Sequence, residues 1–472
     1  MVFSDPAFLF YFLPIALFTY WIGAWRKRNL YLLIISLFFY ISGGGSIVVL
    51  LVLSGMLTYF AALLIDRSKS ESTRKATRNL VVALLIGFLI FWKYTDFLLT
   101  QLSALLRSFG SSTSLSINLI LPIAISFFTF QCVSYLIDVS RREIKAEVNL
   151  TTFLCYLFFF PHLLAGPVVR YKDVAPQLGT KPSKILENFV ASSPRFFWGL
   201  AKKVLIADQA AQIANSAFGI AGYQIQTLDV IIGVIAYSIQ IYFDFSGYSD
   251  MAIALAGMFG IRFHENFLRP YSASSVTDFW RRWHVSLSSW FKDYLYIPLG
   301  GNRGSALKTY RNLAIVFVLT GFWHGANWTF LVWGIIHGTA LIIERLFLQD
   351  QVPRRVLARV MLRLWTILVV LFAWLFFRSD SLAHSGELLK ALIGGAGFGI
   401  SPIVEAAITP QRVFWTAIGL IVFFLPQRRS IGQLLNDTKS QPIISFMAVG
   451  MGLLASMYVL SSSFSPFLYF QF

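Results

Sequence analysis

Two cysteines, Cys132 and Cys155, are all that the 472 residues contain. Both lie in apolar stretches, so the chain carries no disulfide framework and no cysteine spacing for zinc. A buried cysteine of this kind is ordinarily a small apolar side chain. Charge is scarce too: Asp, Glu, Lys and Arg make up 13% of the chain, against about 25% in soluble domains. No internal repeat and no low-complexity segment is present, which argues against a common transporter plan. His162, His264 and His384 are scattered and give no metal-ligand spacing.

What abounds is apolar. Hydrophobic residues reach 57%, with 46 Phe, 19 Tyr and 13 Trp. That composition describes an integral membrane protein with aromatic side chains for lipid-facing surfaces and interfacial belts. The charges that remain are lopsided, 39 Lys and Arg against 22 Asp and Glu, for a net +17. Such an excess can mark nucleic-acid binding. Here the charges sit in short clusters between apolar runs, so retention of cytoplasmic loops is the better reading, with no nucleic-acid partner. The opening "MVFSDPAFLFYFLPIALFTYWIGAWRKR" lacks a basic n-region and a small-residue cleavage site. Its cluster Arg26, Lys27, Arg28 follows the apolar run. It reads as a first span with residue 28 in the cytoplasm, not as a cleavable signal.

A spanning helix needs roughly 20 apolar residues. Candidate spans fall at about 7–25, 30–42, 45–65, 80–97, 116–138, 151–165, 190–206, 228–243, 250–261, 312–324, 327–343, 360–377, 411–426 and 442–460. The segments 30–42, 151–165 and 250–261 are short and read as broken or partly inserted helices. Irregular backbone at membrane depth is tolerated only where protein or a water-filled cavity satisfies it. Basic loops at 67–78, 141–145, 170–184, 262–311 and 345–363 mark the cytoplasmic side. The expected architecture is all-α, a single polytopic membrane domain over residues 1–472.

The run 312–343 carries no Asp, Glu, Lys or Arg, yet holds "GFWHGANW", residues 321–328. As one helix it would be about 48 Å long, beyond a hydrocarbon core of about 30 Å. A break at Gly325-Ala326-Asn327 would give two arms with His324 near the turn; a single kinked span is the competing reading. An ionisable residue in such a run is a functional hypothesis by default. His337 shares the apolar context and reads as structural.

Three further stretches carry polar groups. "SVTDFWRRWHVSLSSWFKDYLYIPLGGNRG", residues 275–304, opens with Thr277 and Asp278 as helix caps. It continues as an aromatic, basic helix through Trp290 suited to an interface. "GGNRG" supplies backbone amides beside Arg303 that can hold phosphate, without any Walker A or dinucleotide pattern. "IYFDFSGYSDMA", residues 241–252, ends an apolar run with Asp244 and Asp250 around Tyr248. These acids either pair with arginines of the next loop or meet substrate. "FPHLLAGPVVRYKD", residues 160–173, places His162 at the polar end of a short helix.

"FWRRWHVSLSSWFKDYLYIPLGGNR" followed by "LTGFWHGANWTFLVWGIIHG" resembles the membrane-bound O-acyltransferase family, in its branch of bacterial alginate O-acetylases. The likeness extends from "MVFSDPAFLFYFLP" through "GPVVRYKD" and "FDFSGYSDMAIALAGMFGI", and weakens in the final third. The resemblance implies a ring of tilted, partly broken helices around a central tunnel, with a core at about 120–345 and C-terminal helices at 360–472. It implies His324 and His284 as the catalytic pair, His324 as general base. Imidazole suits that role, and apolar surroundings favour its neutral form. His284 is left to orient the donor carbonyl, to stabilise charge on it, or to complete a relay. Trp323 and Asn327 would line the reaction site. Donor-binding residues would be Trp283, Arg282, Lys292, Asp293, Asn302, Arg303, Asp244 and Tyr248.

The resemblance further implies acetyl-CoA as donor substrate, with no permanently bound cofactor and no metal. Expected partners are an exported polysaccharide, periplasmic acetyl-handling proteins, a polysaccharide synthase complex and membrane lipid. The location would be the bacterial inner membrane. An acyl exporter serving a separate periplasmic transferase is the alternative, and a plain transporter ranks below both.

Overall fold

Among the described residues, the long apolar runs fold mainly as α-helix. The computed structural model describes residues 1–117, 119–180, 183–220, 225–348, 355–395, 397–424, 434–435, 441–461 and 467. The helices are α1 (Leu13–Trp21), α2 (Arg28–Gly44), α3 (Val48–Arg67), α4 (Glu71–Ser108), α5 (Ile125–Ser140), α6 (Leu150–Phe158), α7 (Phe160–Leu163), α8 (Tyr171–Leu178), α9 (Ile185–Ala201) and α10 (Asp208–Phe218). They continue as α11 (Thr227–Met258), α12 (Val276–Trp280), α13 (Val285–Phe291), α14 (Ala306–His324), α15 (Trp328–Leu348), α16 (Val356–Arg378), α17 (Leu382–Leu392), α18 (Pro402–Ala407), α19 (Pro410–Phe424) and α20 (Gln441–Ser461). No strand occurs among the described residues.

Six helical stretches among those residues are long and apolar enough to cross a membrane: Ala24–Arg67, Glu71–Ser108, Thr227–Met258, Trp328–Leu348, Val356–Arg378 and Gln441–Ser461. The protein is an all-α, multi-span membrane protein. Its chain divides into two compact units, one of residues Met1–Ser192 with Leu255–His264, the other of Ser193–Ala254 with Glu265–Phe472.

The first unit is knit by aromatic packing. The rings of Phe3, Phe8, Phe12, Phe39 and Phe160 form one cluster, with centroids 5.1–6.3 Å apart in the pairs Phe3–Phe8 and Phe3–Phe160. Arg28 is buried, and its guanidinium donates to the carbonyls of Gln177 and Thr180. Two basic segments that the charge pattern puts on one side therefore meet. The short helices α6 and α7 match the expected break in 151–165, at Phe159. His162 lies inside, ringed by Tyr156, Phe159 and Phe263.

Several expected boundaries move. The segment 30–42 lies in an unbroken helix of 17 residues, Arg28–Gly44. The expected loop at 67–78 lies largely on α4, which starts at Glu71 with Ser70 as its cap. The span at 116–138 begins only at Ile125.

The largest correction is α11. Two spans at 228–243 and 250–261 are one helix of 32 residues. The acids that look like a helix end are absorbed within it because cations meet them. Asp250 accepts from Arg195 and Lys202, each at 2.7 Å. Asp244 sits 3.3 Å from Lys203, which also bonds Asp208. These cations come from α9 and the π-helical turn Lys202–Ala207. Gly199 and Gly247 let the backbones approach: a Cβ on Gly199 would lie 2.6 Å from the Gly247 carbonyl oxygen.

Candidate active site

The run 312–343 does break where its composition suggested. α14 ends at His324, Gly325 is extended, and α15 starts at Trp328. The two arms then pack against each other along glycines. A Cβ on Gly321 would lie 2.4 Å from the Phe330 carbonyl oxygen, and one on Gly334 2.3 Å from that of Phe317. A Cβ on Gly325 would meet the Phe330 ring at 2.1 Å. Only hydrogen side chains permit this crossing.

His324 is thereby set into an aromatic box. Its ring lies edge-to-face with Trp323 at 4.9 Å, Trp333 at 4.9 Å and Phe377 at 5.1 Å. Only 5% of it is exposed.

His284 reaches the same place from a different element. The expected continuous helix to Trp290 is instead α12 and α13, separated by His284 in a left-handed conformation at φ 44°. Such a backbone is uncommon outside glycine and costs on the order of 1–3 kcal/mol. Hydrogen bonds on both sides hold it: Leu268 N donates to Arg282 O, and Val285 N to Asn266 O. The expected caps change as well. Ser275 caps α12 by accepting from Asp278 N, while Glu344 accepts from the amides of Val276 and Thr277.

The His284 ring is fully buried and meets Phe245 edge-on at 4.7 Å. Burial lowers its pKa from the ordinary imidazole value to about 3, so the ring is neutral. Its Nδ1 lies 3.2 Å from Asn266 Oδ1. The Trp323 ring, 4.9 Å from His324, is also 6.5 Å from His284. One indole joins the two histidines.

A cavity of about 590 Å³ opens beside Thr277 of α12 and Arg281 just after it. It is lined by Arg281, Lys292, Arg303, Arg345, Asn302 and Thr277 among others, and none of its lining residues is acidic. Four cations, with no acid among the described residues that line it, make an anion-attracting bowl. Three of the five amides of "GGNRG" are already bonded within the turn. Gly301 N bonds Tyr296 O, Gly300 N bonds Ile297 O, and Arg303 N bonds Gly300 O. Asn312 fixes this turn by donating to the carbonyls of Leu299 and Gly301. The charge therefore comes from side chains.

Other expected site residues are engaged elsewhere. Asn327 caps α15, accepting from Thr329 N and donating to Asp380 O. Trp283 is core, against Phe267, Phe279 and Trp374. Arg282 pairs with Asp278 at 2.8 Å. Asp293 lies on the π-helical turn Lys292–Tyr296 and is not among the residues lining the cavity. Tyr248 packs on Phe467 and Asp244 on Lys203.

Sequence reasoning missed Asn266, Arg345, Arg195 and Lys202. A second cavity, about 570 Å³, has Arg195, Lys202, Asp250, Glu265 and Asn266 on its polar side and Phe414, Trp415, Met447 and Met451 on its apolar side. Only the carboxylates of 241–252 hinted that buried cations must exist to match them.

Residues 34–383 match the membrane-bound O-acyltransferase family. The chain belongs to that family. It is an acyltransferase, and both histidines and the basic cavity lie within the matched residues. Its relatives include the probable alginate O-acetylase AlgI of Azotobacter vinelandii, 37% identical over all of both chains. The protein of the same name from Pseudomonas aeruginosa is 40% identical over 89% of this chain and 80% of its own. A peptidoglycan O-acetyltransferase of Helicobacter pylori is 35% identical over 86% and 82%.

Proposed function

We propose that this membrane acyltransferase moves acetyl from cytoplasmic acetyl-CoA to hydroxyl groups of an exported polysaccharide. The observation that carries the reading is the pair of buried histidines, one at the break between α14 and α15, joined through Trp323. The names of the relatives favour acetyl as the group and a glycan as its acceptor. Alginate is the first candidate, ahead of peptidoglycan, because more of the similar proteins carry that name.

The reaction balances simply. The acceptor hydroxyl gives its proton to His324 as its oxygen attacks the thioester carbon. The carbon–sulfur bond breaks, coenzyme A leaves as thiolate, and the proton passes to it. A positioned base contributes typically 10²–10⁴-fold. The wall of Trp323, Trp333 and Phe377 around His324 excludes competing water. Phosphates of the donor fit the bowl of Arg281, Lys292, Arg303 and Arg345. The family and the direction of export support a location in a bacterial inner membrane, beside a polysaccharide synthase complex.

The acceptor is tested with protein in liposomes supplied with acetyl-labelled acetyl-CoA on one side. De-acetylated alginate, peptidoglycan fragments or buffer is placed on the other. Label on alginate supports the proposal as stated. Label on peptidoglycan alone redirects it, and label on neither with thioester consumed points to hand-over to a separate transferase.

A further inference from the structure

We propose that Asn266 is the positioning residue of His284, holding the imidazole as its Nδ1–H tautomer so that Nε2 faces the reaction as an acceptor. The proposal rests on the reading of His284 as part of the reaction site.

Hydrogen-bond chemistry assigns the atoms. Asn266 is 1% exposed and surrounded by donors. Its Oδ1 lies 3.2 Å from Ser286 N and 2.8 Å from Ser286 Oγ. A backbone N–H can only donate, so the atom facing it is the amide oxygen and not the nitrogen. The amide nitrogen points the other way and donates to Ser249 Oγ at 3.1 Å. His284 Nδ1 lies 3.2 Å from the same oxygen and 3.4 Å from Ser286 Oγ, whose hydroxyl is turned to Asn266 Oδ1 at the shorter 2.8 Å; facing an oxygen that only accepts, Nδ1 is the donor. A neutral imidazole has one N–H. With that proton on Nδ1, Nε2 carries the lone pair.

The same asparagine sets the ring's place. Its carbonyl accepts from Val285 N, one of the two bonds that stabilise the left-handed turn at His284. Phe245 edge-on and Phe267 stacked at 6.4 Å close the remaining sides. The backbone turn thus leans on the main-chain carbonyl of Asn266, and the tautomer on its buried side chain.

The consequence narrows the role of His284. With no proton on Nε2, it cannot donate to a thioester oxygen on that side. It can accept a hydrogen bond or a proton, as a second base or as a relay from the acceptor hydroxyl. Charge on the carbonyl must be stabilised by other donors.

The test uses full-length protein in liposomes with acetyl-CoA and de-acetylated alginate, reading coenzyme A release across pH. Asn266→Ala frees the tautomer and should lower kcat by about 100-fold, a loss of the size of general-base catalysis, with KM for acetyl-CoA unchanged. Asn266→Asp keeps the acceptor oxygen and adds charge that favours imidazolium. It should recover most of kcat and move the acid limb of the kcat profile to higher pH. A purely structural asparagine would lower abundance without moving that limb. An unchanged kcat in Asn266→Ala, or an unmoved limb in Asn266→Asp, overturns the proposal. Should Asn266→Ala fail to accumulate, Asn266→Asp decides. Normal turnover by His284→Ala would instead overturn the underlying reading of the site.

Discussion

Trp323 sets its indole against both histidines, 4.9 Å from His324 on the same helix end and 6.5 Å from His284 between α12 and α13. Two motifs about 40 residues apart in sequence thus share one side chain. If that indole spaces the pair, Trp323→Ala lowers kcat more than stability. Trp323→Phe keeps part of the aromatic contact, worth about 0.5–1.5 kcal/mol, and retains intermediate turnover. Steady-state kinetics with melting of the purified variants separates the two effects.

The basic bowl predicts a binding phenotype. Arg281→Gln and Arg345→Gln each remove a cation from a cavity with no acidic lining. Each should raise KM for acetyl-CoA by about tenfold, the worth of one charge-assisted hydrogen bond, with kcat little changed. High salt should weaken donor binding in the wild type and less so in the variants. A KM unmoved in both would place the donor elsewhere.

The ion network on α11 predicts a stability phenotype. Asp250 is buried and serves Arg195 and Lys202 together. Asp250→Ala leaves Lys202 without that partner and should cost about 3–5 kcal/mol, as breaking buried pairs does. Thermal unfolding in detergent would read this as a lower melting temperature and poor accumulation.

The hairpin of α14 and α15 predicts a packing phenotype. Gly321→Ala puts a methyl group 2.4 Å from the Phe330 carbonyl oxygen. Relief requires the arms to part, at about 1–3 kcal/mol by analogy with overpacked cores. Displacement of His324 should follow, so both melting temperature and kcat fall. Gly450→Ala, where nothing lies within 4 Å, is the control.

The sequence revealed what depends on local composition. The all-α membrane class and the break at 325–327 both follow from apolar runs and their composition, and the motifs around His324 and His284 mark the two histidines that the structure brings to one indole. It misled where distant partners decide. Asp244 and Asp250 look like a helix end until Arg195, Lys202 and Lys203 meet them. The helix expected through Trp290 breaks because residues 266–268 bond to 282–285 across the chain. Asn266 gives no local signal, since an asparagine in "FHENFLRP" reads as a turn residue.

His324 is the proposed base for acyl transfer. The most direct measurement is coenzyme A release and label transfer by wild type, His324→Ala and His337→Ala in liposomes. His337 is buried nearby and accepts from Trp280 Nε1 at 3.3 Å, so it reports structural damage. His324→Ala should lose about 10²–10⁴-fold in turnover with acetyl-CoA binding intact. Turnover per folded molecule should be preserved in His337→Ala. Normal turnover in His324→Ala would contradict the account at its central residue.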